Sequence, residues 1–214
     1  MAKKLFEIQT DKIVNGTKLM YLNSALTSWT GDLSSLTNGT SMFYLCSALT
    51  AFTGDLSSLT EGSRMFGGCS FTTFTSDLSS LTNGREMFYR CSNLTTFTSD
   101  LSSLTEAGSM FDGCSALTAF TGDLSSLTNG VQMFGDCYNL TTFDCNLSSL
   151  AYGGYMFKSC TNLTSFNSDL SSLTEGSYMF HLCSLDAPSV KNIALTINKN
   201  TSNARFDIGV ANNI

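Results

Sequence analysis

Proline and histidine are almost missing from this sequence: Pro188 and His181 are the only ones among 214 residues. Charge is scarce as well, at 13% for Asp, Glu, Lys and Arg together. One histidine leaves little room for a catalytic dyad or a His-based metal site. Eleven basic residues against seventeen acidic ones give a net charge of −6. The basic residues are scattered rather than clustered, so a phosphate-binding face for nucleic acid is not expected. No apolar run approaches the roughly 20 residues that span a bilayer, and membrane insertion is not expected. The start, Met1–Glu7, carries Lys3 and Lys4 without a following apolar stretch, so it does not read as a secretory signal. That start fits a protein that works inside the cell or leaves by another route, such as release within a phage particle at lysis.

What the sequence does have is repetition. Cys46, Cys69, Cys91, Cys114, Cys137, Cys160 and Cys183 recur every 23 residues, with one step of 22. Met42-Phe43 recurs as Met65-Phe66, Met87-Phe88, Met110-Phe111, Met133-Phe134, Met156-Phe157 and Met179-Phe180. A second aromatic column runs Phe6, Trp29, Phe52, Phe74, Phe97, Phe120, Phe143 and Phe166. Asp-Leu-Ser-Ser-Leu starts at Asp32, Asp55, Asp77, Asp100, Asp123 and Asp169, with Asn146 in the remaining copy. Apolar residues fall at about every third position, which suits neither a helix period of 3.6 nor the alternation of a long strand. The pattern predicts a repeat solenoid: a right-handed β/α coil of about eight 23-residue repeats, about 40 Å long at strand spacing. The 22-residue step lies between Cys69 and Phe74, where Phe71 takes the place of the leucine.

The ends of such a stack need covers, because terminal coils otherwise expose the core. Residues 1–25 read as a degenerate capping repeat, with Phe6, Ile13, Asn15-Gly16 and Leu19-Met20 matching repeat positions and Asn23 replacing cysteine. Residues 26–185 form the array, and 186–214 a C-terminal cap. In that cap Asp186 and Pro188 open an amphipathic helix with Val190, Ile193, Ala194 and Ile197 on one face, followed by a short strand through Phe206, Ile208 and Val210.

Three columns resemble chemistry. Thiols 23 residues apart lie on successive coils, not in the close pairs of zinc sites, so they read as small apolar fillers of an inner column. Cys145 lies outside the column and is the one candidate for an exposed, reactive thiol. The aspartates could line up as calcium ligands, but each precedes Leu-Ser-Ser, where capping of the turn is the simpler role. Threonine columns, at Thr27 to Thr164 and Thr30 to Thr121, follow ordinary strand propensity. No cofactor is expected, and no enzyme, since neither a phosphate loop nor an activated nucleophile is present.

Variation concentrates in the residues beside Met-Phe. Tyr44, Arg64, Arg85, Tyr89, Arg90, Gln132, Tyr155, Lys158, Tyr178 and His181 stand there while the rest of each coil repeats. Tyrosine and arginine dominate binding surfaces, so these ten are the candidate partner-binding residues. The alternative is that outward positions simply drift.

The unit G-x-x-M-F-x-x-C-x-x-L-T-x-F over residues 3–185 resembles the BspA-like (Treponema-type) leucine-rich repeat, although that family typically has Ala where this chain has Met. The resemblance implies a non-enzymatic adhesion or recognition module for a protein or cell-surface ligand, and an extracellular setting. Similar arrays in gut bacteria and their phages keep a second expectation open: a structural spacer or self-assembling component, for example of a virion or fibre, forming homo-oligomers.

Overall fold

A computed structural model describes residues 13–197 of the chain. Phe6 of the aromatic column and the expected strand at Phe206, Ile208 and Val210 lie outside these residues. Among the described residues the secondary structure is sparse: seven two-residue strands and one helix. The strands are β1 (Ser28–Trp29), β2 (Ala51–Phe52), β3 (Thr73–Phe74), β4 (Thr96–Phe97), β5 (Ala119–Phe120), β6 (Thr142–Phe143) and β7 (Ser165–Phe166). They pair in parallel, with Trp29 beside Phe52 and Phe97 beside Phe120. The pairing lapses twice, between β2 and β3, where the coil is one residue short, and between β5 and β6, where the coil has its full length. Phe71 nevertheless fills the leucine position there and is 1% exposed. A second parallel ladder runs without a break from Asn15 through Asn38, Glu61, Asn83, Glu106, Asn129 and Tyr152 to Glu175. It sits just before each Met-Phe run and is the longest continuous pairing of the solenoid.

The two aromatic columns meet inside. Phe43 stacks on Phe66 at 5.5 Å and 3°, and Phe52 enters edge-on at 4.8 Å from Phe66. Stacking along each column and edge-to-face contact between them repeat in every coil, as the ring quadrupoles favour. Each fully buried ring contributes roughly 1.5–3 kcal/mol of burial. The residue two places after the strand aromatic sets how deeply that ring sits. At Gly54 and Gly122 a Cβ would lie 2.7 Å from Cζ of Phe52 and Phe120, so those rings lean over the glycine and are the more exposed phenylalanines of the column. Where Ser76, Ser99, Cys145 or Ser168 holds that place, the ring is 1–3% exposed.

Polar repeats close the turns. Oδ1 of each repeat Asp accepts the N–H of the serine two residues on, from Asp32–Ser34 at 2.8 Å to Asp169–Ser171 at 2.8 Å. Asn146 does the same with Ser148 at 2.9 Å, so the amide replaces the carboxylate without loss. These N–H groups hold the Asp32 and Asp77 carboxyls below the usual range. A threonine ladder stitches adjacent coils: the Thr60 hydroxyl donates to the Thr37 carbonyl and Thr82 to Thr60, at 3.1 and 3.0 Å.

Opposite the strands, each Met-Phe run is a chain of consecutive turns rather than a helix. Two residues per run are left-handed: the one before Met and the second after Phe, as at Ser41 (φ 55°) and Leu45 (φ 59°). They rotate alternate peptide planes so that N–H groups leave one edge of the run and carbonyls the other. Gly39, Ser41, Phe43 and Leu45 all donate to the next coil, at Glu61, Ser63, Met65 and Gly67. The same four bonds, in the same sense, recur at every junction up to Gly153, Tyr155, Phe157 and Ser159 donating to Glu175, Ser177, Met179 and His181. The run is therefore polar end to end, whereas a β-strand edge alternates donors and acceptors.

After Cys183 the repeat gives way to α1 (Ala187–Thr196). Asp186 caps it by accepting from Ser189 N at 2.9 Å. Ser189 occupies the next strand position, where its hydroxyl accepts from Phe166 N at 2.8 Å. Ile193 is fully buried against the last coil, but Ala194, expected on the same face, is exposed because buried Ser189 takes that side.

Candidate functional site

The Met-Phe runs place all ten candidate residues on one long face, in four columns with their neighbours. Two of the columns are the left-handed positions. They hold Lys, Ser, Arg, Glu, Gln, Tyr, Leu, Gly and Asp but no β-branched residue, in a chain rich in threonine. A branched Cβ clashes with the backbone at positive φ, so part of the variation is sterically filtered. Thr40 and Val131 stand one residue earlier, where the backbone is not left-handed.

The structure gathers the ten into local groups rather than one patch. Tyr44 stacks on Tyr21 at 5.7 Å, and its ring lies against Gly67, where a Cβ would be 2.9 Å away. Arg64 grips Glu86 with two bonds, Nε at 2.7 Å and Nη2 at 2.9 Å, while Nε of Arg85 stands 3.6 Å from the same carboxylate. The Arg64 guanidinium holds the Glu86 carboxyl below its usual range. Arg90 lies over the Tyr89 ring at 5.0 Å. Tyr155 and Tyr178 stack at 5.3 Å, with His181 edge-on to Tyr178 at 5.8 Å. Gln132 donates to Asp112 at 2.9 Å, and Lys158 stands two coils beyond Asp112 in its column.

Sequence reasoning passed over Asp112 as a group of consequence. It is 7% exposed, set beside Gly135, where a Cβ would come within 2.8 Å of its Oδ1. Burial, then the neighbouring Asp136, pushes its carboxyl up to about 6, against the pull of Gln132, Arg90 and Lys158. The available signal was register: Asp112, Gly135 and Lys158 occupy one column in successive coils.

Cys145 is not an exposed reactive thiol. It occupies the small-residue column of Gly122 and Ser168, is half-buried against the core, and its thiol is pushed up to about 11 by burial and Asp144. The seven column cysteines are buried with raised thiols, and each Sγ donates to the carbonyl of the preceding coil's run. They are donors as well as fillers. A cleft of about 470 Å³ lies where α1 meets β6 and β7, lined by Asp144, Asn167, Asp186 and Asn192 among others. Among the described residues no group of three His, Cys, Asp or Glu side chains is placed to hold a metal, and no helix is long and apolar enough to cross a membrane.

The stacked 23-residue coils match the BspA type leucine rich repeat region in six copies, over residues 18–121 and 84–204. The chain belongs to that family. Among solved structures it is similar to the leucine-rich repeat protein of T. pallidum, at 17% identity and a TM-score of 0.52, covering 91% of this chain and 78% of that one. A leucine-rich repeat protein of Bacteroides ovatus matches at 18% identity and a TM-score of 0.46, over 81% of this chain and 54% of that chain. No curated protein sequence matches the chain. The family match and the likeness to the T. pallidum protein support the leucine-rich repeat fold, and arrays of this BspA type typically serve as non-enzymatic interaction scaffolds.

Proposed function

We propose that the chain is a non-enzymatic adhesion or recognition module that binds a protein or cell-surface ligand through the Met-Phe face. The observation that carries this reading is where the aromatic and arginine side chains stand. Tyr155 and Tyr178 remain 39% exposed although stacked, and the Arg85 side chain is 70% exposed, all on a backbone fixed by four bonds per junction. Rigid aromatic and arginine anchors lose little entropy on binding.

The test is to screen the biotinylated chain against arrays of extracellular protein domains and intact cells, beside a variant carrying Tyr89→Ser, Arg90→Ser and Tyr155→Ser. The expected result is loss of the binding that the parent shows, at an unchanged melting temperature. Binding equal to the parent's removes this face. A second reading, a self-assembling structural component such as part of a phage particle, draws its support from the two ends of the polar run.

A further inference from the structure

Because every junction bond in the Met-Phe runs points the same way, the two ends of the array are unlike. At the N-terminal end the carbonyls of Asn15, Thr17, Leu19 and Tyr21 occupy the positions that accept in every later coil, and no described residue donates to them. At the other end the amides of Gly176, Tyr178, Phe180 and Leu182 occupy the donor positions and have no acceptor among the described residues. A β-strand edge fits neither end, since it would set carbonyl against carbonyl or amide against amide. Among the described residues, the partner with matching polarity and spacing is the opposite end of a second copy.

The side chains agree. Continuing the register from residue 182 to residue 22 sets Leu182, 52% exposed, on Leu22, 54% exposed. It sets His181 on Tyr21, in the column where Tyr21 already stacks on Tyr44. It also sets the exposed Tyr178 ring beside Lys18, a cation–π pair. Leu19, 43% exposed, and Val14, 54% exposed, extend the apolar end that such a contact would cover. α1 stands on β7 and Ser168, across the core from the run, and so confines the junction to the Met-Phe side.

We infer that the chain associates head to tail, the 176–182 run of one copy donating to the 15–21 carbonyls of the next. This heterologous contact does not close on itself by symmetry and generates open chains. It goes beyond the recognition reading and does not depend on it, because the ends and the long face are different surfaces.

Sedimentation velocity of the full chain over rising concentration tests it, with two single variants, Leu22→Arg and Leu182→Arg. Both positions are more than half exposed, so both variants are expected to fold, checked by circular dichroism and melting. The parent is expected to form a concentration-dependent ladder of multiples, and each variant alone to remain a monomer. An equimolar mixture of the two is expected to give a dimer and nothing larger, because one intact end of each kind survives. The face variant at Tyr89, Arg90 and Tyr155 is expected to assemble like the parent. A strictly monomeric parent, a Leu182→Arg variant that still assembles, or a mixture that stays monomeric each overturns the inference.

Discussion

The Cys91 thiol donates to the Phe66 carbonyl at 3.2 Å, and that same carbonyl accepts the N–H of Cys69 at 3.0 Å. One oxygen thus closes its own turn and ties the next coil to it. The tie recurs along the column, from Cys46 on the Met20 carbonyl to Cys183 on the Phe157 carbonyl.

Thiol labelling checks this arrangement. All eight cysteines are free, seven are buried, and burial pushes the Cys91 and Cys183 thiols up to about 12. Thiolate is the reactive form, so the native protein at pH 8 is expected to label slowly at Cys145 and not at the seven. Denaturation should expose all eight. Rapid native labelling of a column cysteine would contradict the structure. Cys91→Ala is expected to cost about 1–2 kcal/mol through a lost bond and a small cavity. Cys91→Ser, which keeps a donor, should lose less than the alanine; the reverse order would make the residue a filler alone.

Most of the fold was legible because a translational repeat turns each side-chain type into a column, and columns every 23 residues are hard to satisfy otherwise. Phe71 in the leucine place showed even the shortened turn. The polarity of the Met-Phe run was not legible, since side-chain patterns report which residues point inward and not which way the amides turn. One trace did exist, the lack of Thr, Val and Ile at positions such as Ser41 and Leu45. The partner-binding residues were located to a face by their variability, but the pairing of Arg64 with Glu86 depends on neighbouring coils holding them at bonding distance. Cys145 misled because departure from the cysteine column resembles exposure, whereas it marks membership of the small-residue column.

The left-handed positions give a prediction from two adjacent residues. Ser109 has φ 56°, while a Cβ at Gly108 would meet nothing nearer than the Val131 carbonyl at 3.7 Å. Ser109→Val is expected to lower stability by about 1–2 kcal/mol, from the cost of a branched side chain at positive φ. Gly108→Ala is expected to be neutral or slightly stabilising by restricting the unfolded chain. Urea denaturation of the two variants reads the difference. Equal midpoints would mean that the run is not left-handed at Ser109.

Asp112 supplies the pH dependence. Its folded-state carboxyl titrates at about 6, above the ordinary 3.8, so between these values the folded chain holds more protons than the unfolded one. A raised acid pKa destabilises the fold at high pH, and this penalty falls away as pH drops from 6 towards 4. Facing Asp112 are Asp136, which adds to the penalty, and Arg90, Lys158 and Gln132, which reduce it. Asp112→Asn removes the charge and leaves the shape, so at pH 8 it is expected to be more stable by on the order of 1 kcal/mol. For a chain of this size that is about 2–4 °C in melting temperature. The advantage over the parent should shrink below pH 6 and vanish near pH 4, where the parent's folded-state carboxyl is also neutral. Thermal melts of both proteins across this range check it. A variant less stable than the parent at pH 8, or an advantage independent of pH, would show that the Asp112 charge is welcome where it stands.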